Sequence, residues 1–186
     1  CNKWQTECHH CPLYKDYPGS LFIDNSRKNY RLKKKLFTSL EHLYNVGVSE
    51  WISKELNKSF LNKYPIITIC NGIDTDVFKP RLDCSDKIRE KYNLGNGDIL
   101  LGVATAWGER KGLSDYYKLR EQLSEDYTIV LVGVPQSLQE SLPTGIVGIQ
   151  RTDSIEELSK LYSTASVVLN LASAESFGKT TPEGLA

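Results

Sequence analysis

The sequence predicts an α/β fold, a Rossmann-like doubly wound parallel sheet. Three observations lead there. From residue 99 onward, short apolar runs alternate with segments of helical periodicity. The runs lack the polar alternation of a half-solvated strand, so they read as strands covered on both faces. The last run leads through a glycine-containing loop into the start of a helix, which puts a loop at the carboxyl edge of the sheet.

The elements follow in order. Residues 25–42 predict an amphipathic helix, with Leu32, Leu36, Leu40 and Leu43 at helical spacing. Arg27, Lys28, Arg31, Lys33, Lys34 and Lys35 give it a cationic face. That face reads as plainly solvated, or as attraction to an anionic acceptor such as a lipid pyrophosphate at a membrane surface. Residues 44–48 predict a strand, and residues 50–60 a helix capped by Ser49 with Ile52 and Leu56 behind it. Residues 66–70 predict a strand that Asn71-Gly72 breaks with a positive-φ turn. A short helix over 86–92 and a turn over 93–98 come next. Strands over 99–104, 128–132, 146–149 and 166–171 then alternate with helices over 112–123 and 154–163. Leu113, Tyr116, Tyr117, Leu119 and Leu123 are the apolar positions of the first helix. Leu158, Leu161 and Tyr162 face inward on the second.

Composition excludes several function classes. The 186 residues suffice for one large domain or two small ones. With 23 basic and 23 acidic residues, no bulk charge draws the chain to nucleic acid. No run of roughly 18 apolar residues exists to span a membrane, and no secretion signal is read. The chain has no methionine, starts at Cys1 and stops three residues past Glu183, so it reads as part of a longer protein. Five cysteines, an odd number, argue against a disulfide framework and for a reducing, cytoplasmic setting. Cys1, Cys8 and Cys11, with His9 and His10 beside them, offer half of a structural zinc site or simply three thiols in a loop.

Three loops leave the carboxyl ends of the predicted strands, where ligands bind in such sheets. The first carries Trp107, Arg110 and Lys111, and either cation can neutralise a diphosphate. The second is Gly133-Val134-Pro135, and the third holds Arg151 and Thr152. The last stretch is Glu175-Ser176-Phe177-Gly178-Lys179-Thr180-Thr181-Pro182-Glu183. Thr180 or Thr181 is expected to cap a helix with Pro182 in its first position, aiming backbone N–H groups at an anion. A carboxylate accepts two hydrogen bonds from a vicinal diol, so Glu183 fits a ribose and Glu175 a sugar hydroxyl. The plainer reading has Glu183 complementing the helix dipole and Glu175 solvated.

Here the chain resembles the retaining family-4 glycosyltransferases of the GT-B fold. The resemblance rests on Glu175-x7-Glu183 with Phe177-Gly178, Thr180-Thr181 and Leu185-Ala186 in register, and on Asn71-Gly72-Ile73-Asp74-x-x-Val77-Phe78-x-Pro80. Lys111-Gly112, Gly133-Val134-Pro135 and Val48-Ser49-Glu50-Trp51 agree less specifically. Lys3-Trp4 followed by Cys11 to Ser20, with Tyr17-Pro18, is similar to a polysaccharide-synthesis subset. Ala106 stands where the family usually has an arginine.

The resemblance implies that residues 1–71 close an N-terminal, acceptor-side domain and residues 72–186 form most of a donor-binding domain. It implies metal-independent, retaining transfer from a UDP- or GDP-sugar to a glycan or lipid-linked acceptor, with no cofactor. Glu175 and Lys111 would act at the reacting sugar. Arg110, Gly133, Arg151, Thr152, Ser176, Phe177, Gly178, Lys179, Thr180, Thr181 and Glu183 would hold the donor. Work at the inner face of the cytoplasmic membrane is expected. Two rivals stand beside it. A dinucleotide-dependent oxidoreductase needs a Gly-x-Gly-x-x-Gly that is absent. A zinc-stapled nucleic-acid or anion-binding module leaves the two glutamates unexplained.

Overall fold

The computed structural model describes residues 1–15, 19–20 and 22–186. Tyr17 and Pro18 of the Cys11-to-Ser20 motif lie outside the described residues. The chain divides into two compact units, Cys1–Asn71 and Gly72–Ala186.

The first unit contains helix α1 (Ser26–Thr38), strand β1 (Asn45–Gly47), helix α2 (Glu50–Asn57) and strand β2 (Ile66–Thr68). The two strands pair in parallel, and α2 follows β1 as their crossover. Ser49 caps α2 by accepting from the Ile52 N–H at 3.3 Å. The helix stops at Asn57, and a 3₁₀ turn over Phe60–Lys63 takes over where one continuous helix was expected. Ser59 sits in extended backbone and accepts the Leu61 N–H, which starts that new turn.

Helix α1 corrects the expectation of a leucine-packed face. Tyr30 is its buried residue, stacked edge-on against Phe60 at 5.4 Å. Leu32 and Leu36 are both more than half exposed, and Leu40 and Leu43 lie beyond the helix end. Helical spacing identified a stripe; it did not say that the aromatic ring opposite would be the packed side. Arg27 and Arg31 pair with Glu7, while Lys28, Lys33, Lys34 and Lys35 have no ion-pair partner among the described residues.

The second unit is a four-stranded parallel sheet in the order β5-β4-β3-β6. Its strands are β3 (Asp98–Val103), β4 (Tyr127–Val132), β5 (Ile146–Ile149) and β6 (Val167–Leu169). Helices α3 (Ser85–Tyr92), α4 (Leu113–Gln122), α5 (Gln136–Gln139), α6 (Ile155–Thr164) and α7 (Thr180–Leu185) complete it. Helix α5 is one short turn that apolar periodicity did not show. Successive residues of β3 and β4 enter two different cores. Ile99, Leu101, Val130 and Val132 pack with Ile88, Leu161 and Tyr162. Leu100, Ile129 and Leu131 pack with Tyr116 and Val134. The sheet is therefore covered on both faces, as continuous apolar strands require.

Asn71-Gly72 does not make the expected positive-φ turn, for neither residue lies in the left-handed region. Asp74 makes the turn instead. Its Oδ1 accepts the Asp76 N–H at 2.9 Å, and its carbonyl accepts the Phe78 N–H at 2.9 Å. A short carboxylate that captures nearby N–H groups fixes a turn without left-handed backbone. The turn delivers Phe78 into the core, where it meets Tyr162 edge-on at 5.9 Å. Arg81 then ties this segment to α6 through Ser159 Oγ at 3.2 Å and Ser163 Oγ at 3.1 Å. Lys91 joins α3 to the start of α6 through Asp153 and Glu157.

Tyr116 is the hub of the second core face. It is 1% exposed, its hydroxyl donates to the Leu169 carbonyl at 2.7 Å, and burial pushes its pKa up to about 12. Gly102 lies beneath it, where an added Cβ would fall 2.7 Å from the hydroxyl oxygen. Replacing Tyr116 with Phe should cost about 1.5 kcal/mol, since the Leu169 carbonyl loses its donor inside the core. Urea denaturation checks this; an unchanged midpoint contradicts it.

Candidate active site

The strand order marks where a candidate site lies. The chain runs β3, β4, β5 outward in one direction and then returns to place β6 on the other side of β3. The loops after β3 and β6 therefore diverge at a topological switch point, the place where α/β sheets open a ligand crevice.

These two loops are stapled together at several points. The Ser173 N–H donates to the Arg110 carbonyl at 3.1 Å. Gly112 sits at φ +74° with its missing Cβ aimed 2.4 Å from the Leu171 carbonyl oxygen, so a side chain there would strike backbone. Trp107 donates its indole N–H to the Val132 carbonyl at 3.0 Å and stacks edge-on with Tyr116 at 5.2 Å. Across this junction the Lys111 ammonium pairs with the Glu175 carboxylate. Their side chains are 24% and 29% exposed.

The other candidate residues fall in three groups. Arg110 is exposed beside Lys111, with its main chain committed to Ser173. Ser176, Phe177, Gly178 and Lys179 form the loop from Glu175 to α7, and Gly178 takes φ +76° at its bend. Helix α7 begins at Thr180, with Lys179 at its cap position and no side-chain cap bond. The expected cap by Thr180 or Thr181 and the first-position Pro182 are thus corrected: Pro182 is the third residue of the helix. It is tolerated there because a first-turn residue has no intrahelical N–H bond to lose. The Thr181 N–H already donates to the Gly178 carbonyl at 3.1 Å, and that of Glu183 to the Lys179 carbonyl at 3.1 Å. Fewer N–H groups face an incoming anion than the sequence implied.

Glu183 does not join Lys111 and Glu175. Its Oε2 accepts the Tyr162 hydroxyl at 3.0 Å, and it lines a small cavity of about 140 Å³ with Lys79, Arg81 and Ser159. Burial first, then the Glu183 charge, raises the Tyr162 pKa, so the phenol stays protonated and donates. Gly133 directly follows β4, next to β3, at φ +91°. Arg151 and Thr152 follow β5 at the sheet edge, about 10 Å from β3 by strand spacing, away from the Lys111 and Glu175 pair.

Sequence reasoning missed the supporting roles of Trp107, Tyr116, Tyr162 and Arg81. Apolar spacing marked the two tyrosines as core, but nothing in it reported their hydroxyl partners. Among the described residues no three His, Cys, Asp or Glu side chains gather in a metal-holding group. Cys1 is exposed, and Cys8 and Cys11 are partly buried. Among the described residues no helix is long and apolar enough to cross a membrane.

No family model matches the chain, and no curated protein matches it. Solved structures do. Sucrose-phosphate synthase from Thermosynechococcus elongatus superposes with a TM-score of 0.68 at 20% identity, over 95% of this chain and 46% of that one. Anabaena HepE in complex with UDP and glucose gives 0.64 at 16% identity, over 85% and 45%. A glycosyltransferase from Rickettsia africae gives 0.65 at 22% identity, over 89% and 46%. The chain thus spans about half the length of the structures it matches. It has the α/β, parallel-sheet fold of these GT-B proteins.

Proposed function

We propose that this chain is part of a glycosyltransferase and that its second unit binds the nucleotide-sugar donor. The observation that carries the reading is the Lys111 and Glu175 pair, held at the switch point between β3 and β6. An ammonium there can neutralise a departing diphosphate without a metal ion, and a carboxylate beside it can accept sugar hydroxyls. Fold alone does not assign an activity. HepE, which shares the fold, was solved with UDP and glucose and with UDP-glucose, which favours a nucleotide sugar here.

In this reading Lys111, with Arg110 beside it, meets the diphosphate, and the loop from Ser176 to Thr180 wraps it. Glu175 takes the transferred sugar, and Glu183 takes the ribose once Tyr162 yields or shares it. Gly133, Arg151 and Thr152 would border the base. Residues 1–71 serve the acceptor side. Retention at the anomeric carbon, a glycan or lipid-linked acceptor and a role in cell-surface polysaccharide synthesis follow from the motif resemblance. The outward leucines of α1, and its lysines without an ion-pair partner among the described residues, support work beside an anionic membrane face.

Calorimetric titration with UDP and with GDP tests the reading. Saturable binding of one of them is expected. Glu183→Ala should weaken it about tenfold or more if the carboxylate meets the ribose. Binding of neither nucleotide rejects the donor site, and an unaltered affinity in the variant leaves Glu183 as a partner of Tyr162 only.

A further inference from the structure

We infer that Glu175 is an internal competitor for the diphosphate, occupying Lys111 until a ligand displaces it. The inference rests on the donor-site reading above and adds a regulation of that site. Lys111 is the candidate phosphate ligand, yet its ammonium is already paired with a carboxylate. The pair is more than two-thirds buried at both ends, so it is less screened than a surface pair. It is also preorganised. Lys111 closes a 3₁₀ turn ahead of Gly112, whose backbone lies against Leu171, and the Ser173-to-Arg110 bond holds the two loops in register.

A diphosphate approaching Lys111 meets the Glu175 carboxylate at the same ammonium. A bare nucleoside diphosphate must break the pair and then lie against an uncompensated negative charge. A nucleotide sugar carries hydroxyl donors that can satisfy the displaced carboxylate. The device therefore favours the donor over the spent nucleotide. After transfer, Glu175 regains Lys111 as the nucleotide leaves. No covalent step is required of the carboxylate in this role.

The test is a double-mutant cycle read by calorimetry with UDP and GDP on the full chain. The wild type, Glu175→Gln, Lys111→Ala and the double variant are compared, with circular dichroism to show that each is folded. Glutamine keeps the shape and removes the charge. Glu175→Gln should bind the nucleoside diphosphate about tenfold or more tightly than the wild type, a gain much reduced when Lys111 is already alanine. A merely structural pair would give the opposite sign, because breaking it loosens the loops. Equal or weaker nucleotide binding by a folded Glu175→Gln protein overturns the competitor while leaving the donor site standing. Failure of both the wild type and Glu175→Gln to bind either nucleotide overturns both.

Discussion

Replacing Gly133 with valine should strongly destabilise the second unit. Gly133 follows β4 directly and takes φ +91°, a region that L side chains avoid. A Cβ there would lie 1.7 Å from the Ala104 carbonyl oxygen, far inside van der Waals contact. The obstacle is backbone at the end of the neighbouring strand, so no rotamer change relieves it. Moving it would break the ladder of β3 and β4 where the Ala104 N–H donates to the Val132 carbonyl at 3.0 Å. The Gly133 and Val134 N–H groups, both bonded to the Ile149 carbonyl, would go with it. Backbone strain and clash together should cost about 3 kcal/mol or more. Denaturation followed by circular dichroism measures it. A variant as stable as the wild type would contradict the close approach.

Removing Lys111 should have the largest effect on ligand binding. Lys111→Ala deletes the ammonium between the loops after β3 and β6 and leaves Glu175 partly buried without this partner. A hydrogen bond to a charged group is worth about 1.5–3 kcal/mol, and the residual carboxylate adds repulsion toward a diphosphate. Affinity for UDP or GDP should fall about 10-fold to 100-fold. The loss should shrink as salt rises, since screening weakens attraction and repulsion alike. Titrations at two salt concentrations read both effects. An unchanged affinity would show that Arg110 alone carries the phosphate contact.

Much of the second unit was legible in its pattern. The strand runs and the inward helix positions recur in the structure within a few residues, because burial on both faces selects apolar side chains through the middle of β3 and β4, leaving Asp98 and Tyr127 exposed at their starts. Turn residues were readable where one residue sets the backbone, as with Asn93 and Gly95, both at positive φ. Asn71-Gly72 misled, since a nearby carboxylate offered the chain a cheaper turn at Asp74. Helix α1 misled for a related reason: periodicity describes a stripe, while packing chose Tyr30.

The sequence by itself determined the class of sheet, the alternation of elements and the residue types held in each loop. Those depend on local propensity and on the period of burial, which each segment carries alone. Only the tertiary structure decided that β6 lies beside β3, because strand order is a choice among long-range pairings that no segment encodes. That choice brings Lys111 to Glu175, 64 residues apart in the chain. It likewise decided that Gly102 must leave room for Tyr116 and that Glu183 turns to Tyr162. Such contacts arise from close packing of distant side chains, where a shift of one methyl group is felt.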